Sequence, residues 1–173
     1  MKYLAIILSC LALSACGFQP RSAKELPPQL HELCVVTPKP NSNFSHKLRQ
    51  MLGSLQLKID SSCTSAPYKL EIYKTSLTRD NPSITTADQA QTFNYTYSLD
   101  FDLNNNQGQT MISRRTLSAS RSVILNAQQI FTPYNTSAIE KQLEQIILSQ
   151  VFDQLTTIET KANFARYPAK PIK

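Results

Sequence analysis

Tryptophan is absent from this chain of 173 residues, glycine occurs three times and histidine twice. So little glycine leaves no glycine-rich loop of the kind that cradles phosphates. His31 and His46 lie far apart, and no closely spaced Cys/His set offers metal-ligand spacing. These absences point away from an enzyme, and no cofactor is expected. A hydrolase would need Ser, His and Asp brought together from distant positions. Charge is also scarce, at 17% of residues, below the ordinary share. Ser, Thr, Asn and Gln fill polar positions instead. Such groups exchange water for a partner without stranding an ion, which suits a domain held against or inside a polar protein surface. Compositional drift is the plainer alternative. Acids are missing altogether from Leu103 to Ile139, a stretch that carries Arg114, Arg115 and Arg121.

What is present begins with a leader. Met1-Lys2-Tyr3 is a positive start, Leu4 to Leu13 is apolar except for Ser9, and Ser14-Ala15 are small. These are the parts of a secretory signal. The run is about ten residues, too short to span a hydrocarbon core of roughly 30 Å as a helix. Leu13-Ser14-Ala15-Cys16 resembles the lipobox of bacterial lipoproteins. The resemblance implies cleavage before Cys16, with acyl chains on its sulfur and amino group. Two or three chains would tether the protein durably. An ordinary signal peptide with a chance cysteine, or an N-terminal membrane anchor, is the alternative. Cys10 sits in a poorer cleavage context. Gly17 rather than Asp after the cysteine favours the outer membrane, by resemblance to sorting in Gram-negative cells.

With the leader gone and Cys16 lipidated, Cys34 and Cys63 remain. An even pair in an oxidising compartment reads as a disulfide; two buried free thiols are the alternative. The loop it would close is roughly thirty residues, worth roughly 3–4 kcal/mol in the chain-entropy picture. Without Lys2 of the leader the net charge is 17 − 12 = +5, which concerns partners rather than fold. In the periplasm it favours anionic lipid head groups and phosphorylated saccharides over nucleic acid.

Residues 16–29, with Pro20, Pro27 and Pro28, read as an extended lipidated tether. Leu33 to Thr37 is a first strand. Phe44, Leu48, Met51, Leu52 and Leu55 recur at helical spacing behind Ser42 or Asn43 as cap. Leu55, Leu57 and Ile59 allow a short strand, and Asp60 to Pro67 is a polar loop. Tyr68 to about Leu77 is a second main strand. Thr78 to Gln91 is polar and contains the turn signal Asn81-Pro82. From Phe93 to Leu103 apolar and polar residues alternate strictly, predicting a long half-buried antiparallel strand. Asn104 to Gly108 is a turn. Met111 to Leu125 pairs back, but Arg115 and Arg121 share its nominal apolar face. Either the strand is bulged or its ends leave the core. Ser137 with Glu140 predicts a capping box before a helix through Ile139, Leu143, Ile146, Ile147, Val151, Leu155 and Ile158. The expected architecture is an α+β two-layer sandwich: a largely antiparallel four-stranded sheet with two helices on one face. The domain would span 30–159, between a leader at 1–15 with its tether at 16–29 and a flexible tail at 160–173.

Arg114, Arg115 and Arg121, with Arg79 on the preceding strand or its loop, are candidate ligands for phosphate, because guanidinium bonds it bidentately. A solvated strand edge guarded by positive charge would look the same.

The run Cys16-Gly17-Phe18-Gln19-Pro20-Arg21, the Leu26-Pro27-Pro28 approach to the first strand, and the element order down to the long closing helix resemble the LptE family of lipopolysaccharide-assembly lipoproteins. That resemblance implies a plug inside the lumen of the outer-membrane β-barrel LptD, acting with it to deliver lipopolysaccharide to the cell surface and binding lipopolysaccharide itself. A transport-accessory lipoprotein of another envelope lipid-export system is the competing expectation.

Overall fold

The computed structural model describes residues 22–80, 83–84, 91–125 and 133–170. The expected lipidation site Cys16, the leader and the Asn81-Pro82 turn lie outside them.

The chain forms an α+β sandwich with helices packed on one face of a mixed sheet. Among the described residues six strands build it: β1 (Glu32–Val36), β2 (Lys58–Asp60), β3 (Tyr68–Arg79), β4 (Ser83–Ile84), β5 (Gln91–Asn105) and β6 (Thr110–Leu125). The helices are α1 (Asn43–Ser54), α2 (Pro133–Thr156) and α3 (Ile158–Arg166). The order across the sheet is β2-β1-β3-β5-β6, and β4 shares the β3 edge of β5. β1 runs parallel to both β2 and β3, because α1 carries the chain back between β1 and β2. The long strands β3, β5 and β6 are antiparallel. To the expected four strands and two helices the described residues add β2, close to the short strand allowed at Leu55–Ile59, together with β4 and a third helix.

Period-two alternation puts Tyr95, Tyr97, Leu99, Phe101 and Leu103 of β5 against the helices, all buried. Leu33, Val35, Leu70 and Ile72 extend that layer. From the helices come Phe44, Leu48 and Leu52 of α1 and Leu143, Ile147, Val151 and Leu155 of α2. Phe44 and Tyr97 pack with ring centroids 5.9 Å apart. Burial pushes the Tyr97 hydroxyl up to about 12, reinforced by the negative charge of Glu144.

Ser42 caps α1, its Oγ accepting from the Ser45 amide at 3.2 Å. The predicted box of Ser137 and Glu140 does not start α2, which already begins at Pro133, a favoured residue for a first helical turn. The helical stripe also shifts from expectation. Leu148 and Phe152 are buried while Ile146 is 45% exposed.

Three threonines end α2. Thr156 Oγ1 donates to the Phe152 and Asp153 carbonyls, and Thr157 and Thr160 Oγ1 both donate to the Gln154 carbonyl. The Gln154 carbonyl lies in the last turn, where no amide four residues further along belongs to α2. Thr157 then caps α3 by accepting from the Thr160 amide. Ile158, counted into the long helix by its spacing, is instead the first residue of α3 and stands exposed. The tail expected from residue 160 is helical to Arg166 and docked. Phe164 is fully buried beside Tyr68, and Asn163 Nδ2 donates to the Met111 carbonyl at 3.0 Å.

The N-terminal tether is also shorter than expected. Ser22 and Glu25 form a capping box around a 3-10 turn, and Leu26 and Leu30 already enter the core.

Candidate functional site

Alternation along β5 sends Asn94, Thr96, Ser98, Asp100 and Asp102 to the face opposite the helices. Register brings Ser122, Ser120, Ser118 and Thr116 of β6 beside the first four, and Thr78, Ser76 and Lys74 of β3 beside Thr96, Ser98 and Asp100. The hydroxyls bond across strands. Thr96 and Ser120 oxygens are 2.9 Å apart, Thr116 Oγ1 donates to Asp100 Oδ1 at 2.7 Å, and Ser122 Oγ donates to Asn94 Oδ1 at 2.6 Å. Short hydroxyl side chains leave this face flat, polar and uncharged across the rows of Thr96 and Ser98, and Asp100 with Lys74 brings charge in the next row. No helix or strand of the described residues covers it. Such cross-strand pairs add modestly to sheet stability. They can also trade water for a partner's polar groups without desolvating an ion.

At one end of this face the sheet is irregular on both sides of β5. Between Ile72 and Lys74, β3 advances one residue more than β5, which makes Tyr73 the extra residue. Opposite Asp102, between Ile112 and Arg115, β6 also carries one residue too many. Tyr73 OH donates to Asp102 Oδ2 at 2.7 Å. The Arg114 guanidinium lies 4.0 Å from the Tyr73 ring centroid. That carboxylate holds the Tyr73 hydroxyl above its usual range, with burial adding to the effect. Asp102 Oδ1 is buried and accepts no hydrogen bond.

The four arginines do not converge. Arg114 lies on the open face. Arg79 and Arg121 flank Tyr95 in one row on the helix face, two strand spacings or roughly 10 Å apart. Arg79 stacks over Phe93, 5.3 Å from the centroid, and Arg121 donates to Gln142 Oε1 of α2. Arg115 donates through Nη1 to Gln154 Oε1 at 2.6 Å and through Nε to the Ser113 carbonyl. The choice left open for β6 resolves through both geometry and edge position. The strand is bulged, and because α2 covers it incompletely, Arg115 and Arg121 lay their stems along the sheet and present their heads to helix glutamines.

Cys34 and Cys63 are joined by a disulfide, with Cα atoms 5.0 Å apart and a separation of 29 positions in sequence. Cys34 points to the open face, since its neighbours Leu33 and Val35 face the core, so the bond fastens the Asp60–Pro67 loop over that end of β1. Asp60 organises the loop. Its Oδ1 accepts from the Ser62 amide and hydroxyl and its Oδ2 from those of Ser65, at 2.7–3.1 Å. The Ser62 hydroxyl, then the Ser65 and Ser62 amides, hold the Asp60 carboxyl well below the usual range.

A cleft of about 740 Å³ opens beside this loop, lined by Pro28, His31, Glu32, Lys58, Pro168 and Lys170 among others. The Lys58–Glu32 ion pair, 2.8 Å, occupies its wall. His31 and His46 are both exposed and on separate elements. Among the described residues no group of three or more His, Cys, Asp or Glu could hold a metal, and no helix is long and apolar enough to cross a membrane.

Asp102 and Tyr73 escaped the sequence reading. Asp102 is one polar residue in an alternating strand, and nothing in the local residues announces bulges on its two neighbours.

No protein-family model matches the chain, and no curated protein matches it. Solved structures do share its fold. Lipoprotein B from Nitrosomonas europaea superposes with a TM-score of 0.67 at 15% identity, covering 89% of this chain and 99% of that one. Rare lipoprotein B from Shewanella oneidensis gives 0.52 at 17%, covering 72% and 89%. A minor lipoprotein from Acinetobacter baumannii gives 0.51 at 18%, covering 83% and 98%.

Proposed function

We infer that this chain is a lipid-anchored envelope protein that works by contact and carries out no reaction. Anchored through Cys16 at the periplasmic side of the outer membrane, it plugs the lumen of an LptD-type β-barrel, binds lipopolysaccharide and assists its assembly at the cell surface. The observation that carries this reading is the uncovered sheet face, whose rows through Thr96 and Ser98 hold hydroxyls alone across β3, β5 and β6, with charge beginning at Asp100 and Lys74. The interior of a large outer-membrane barrel is polar. A plug facing it must desolvate a broad surface, and uncharged hydroxyls do so at least cost. The lipoprotein names of the three structural neighbours support the lipid anchor, as does the Leu-Ser-Ala-Cys ending of the leader.

Affinity purification of the mature lipidated protein in mild detergent tests it. A stoichiometric outer-membrane barrel in the eluate, together with loss of surface lipopolysaccharide on depletion, is the expected result. A monomer that crosslinks only to periplasmic or inner-membrane components would assign the chain to another envelope lipid-export system.

A further inference from the structure

We propose that the double bulge around Asp102 is a binding site for an acidic saccharide, in which Asp102 accepts ligand hydroxyls and Arg114 takes the acidic substituent. The proposal rests on the lipopolysaccharide-binding half of the function given above, and not on the barrel half.

Three independent features meet at this point. A bulge interrupts ladder pairing and re-aims a side chain. Here the two strands flanking β5 are irregular on either side of Phe101, β3 between Phe101 and Asp100 and β6 opposite Asp102. The side chains so displaced, Tyr73 and Arg114, stack on one another 4.0 Å apart. The residue between them, Asp102, is 9% exposed. Its Oδ2 is taken by the Tyr73 hydroxyl, and its Oδ1 accepts nothing. A buried carboxylate oxygen in that condition calls for a donor.

The neighbouring chemistry narrows the donor. A metal would need more carboxylate or imidazole ligands than the described residues gather. An apolar partner would find no footing at this end. The exposed large apolar residue of the strand, Ile124, sits opposite Thr92 at the far end. Around Asp102 lie alternating acceptors, cations and hydroxyls. Glu71 stands directly across from it and is paired to Lys69 at 2.6 Å. Asp100 accepts from Thr116, with Ser98 and Ser118 in the next row. A polyhydroxylated ligand can answer both donors and acceptors in such a mosaic. Arg114 is exposed and makes no ion pair among the described residues. It is free to leave the Tyr73 ring for a ligand carboxylate or phosphate, which a planar guanidinium binds bidentately.

The test is titration calorimetry of the mature protein with deacylated lipopolysaccharide oligosaccharide, which carries sugar acids and phosphates but no acyl chains to partition into detergent. Asp102→Asn and Arg114→Ala should each weaken binding at least tenfold. Arg114→Lys should recover part of the loss, and Lys161→Ala, an exposed cation of α3, should stay within twofold of the parent. Thermal unfolding of each variant checks the fold. If Asp102→Asn does not fold, Arg114→Ala and Tyr73→Phe decide. Unchanged affinity in both overturns the site and leaves lipopolysaccharide binding elsewhere on the chain. Absence of oligosaccharide binding by the parent protein, with intact lipopolysaccharide still bound, also overturns it. Failure of the parent to bind either probe removes the site and the function it rests on together. A dephosphorylated oligosaccharide that binds as well as the parent compound identifies a sugar carboxylate as the partner of Arg114. One that binds no better to the parent protein than to Arg114→Ala identifies a phosphate.

Discussion

Lys47 of α1 and Glu144 of α2 are joined across the helix layer, Nζ to Oε2 at 2.8 Å, with Asn43 Nδ2 donating to the same oxygen at 3.2 Å. The two ends of this pair are unequal. The Glu144 side chain is 5% exposed and that of Lys47 22%. A buried carboxylate is tolerated only while its donors remain, and breaking a buried pair from the other side strands it. Lys47→Met should therefore lower unfolding stability by about 2 kcal/mol, toward the low end for such pairs because the lysine is partly wet. Glu144→Gln keeps an acceptor for Asn43 and leaves the lysine able to reach water, so it should cost less than about 1 kcal/mol. Urea titrations followed by circular dichroism compare the two directly. Equal losses would contradict the asymmetry.

Phe164 should behave as a core residue. It is fully buried and packs against Tyr68 with centroids 4.7 Å apart. Phe164→Ala should cost about 3 kcal/mol, in the usual range for removing a buried ring. Deleting residues 160–173 should cost more, since it also removes the Asn163 bond to Met111. A melting temperature unaffected by truncation would restore the mobile tail.

The strands were legible wherever one face is wet. Phe93 to Leu103 alternates because one face packs on the helices and the other is open from Asn94 to Asp100, so the period survives in the residues. The α1 stripe was legible for the same reason. The end of α2 was not. Lysines and prolines after Thr160 look like a tail, while the features that break and restart the helix are three hydroxyls acting on backbone carbonyls, a use of threonine that leaves no periodic mark. The site divided likewise. Arginine content could be read directly, but which face each arginine occupies depends on where β3 and β6 bulge. One inserted residue reverses the side on which all later side chains fall.

The Asp60 loop should show its bonding in acid. A carboxyl whose folded pKa lies below its unfolded value, about 3.9, adds stability that is fully present above that value. The contribution is lost as pH falls through the folded pKa. Asp60 is of this kind, held down first by the Ser62 hydroxyl and then by the Ser65 and Ser62 amides. A carbon-detected titration of its side chain should find a midpoint well below the unfolded value. Asp60→Asn should flatten the fall in stability between about pH 4 and pH 2. A midpoint near 4 would mean that the loop's hydrogen bonds do not persist in solution.

Adjacent arginines should part company under mutation. Arg114 faces the open surface, whereas Arg115 reaches the helix layer and binds Gln154 at 2.6 Å. A hydrogen bond from a charged donor contributes roughly 1.5–3 kcal/mol at best, and partial exposure reduces it. Arg115→Ala should cost about 1 kcal/mol of stability and leave affinity for lipopolysaccharide within twofold. Arg114→Ala should do the reverse, with a melting temperature close to the parent's and weakened binding. Gln154→Ala supplies the control. If Arg115 acts through α2, the double variant with Arg115→Ala should be no less stable than the worse single one, because both remove the same bond. Additive losses would show that Arg115 owes its place to something other than the helix.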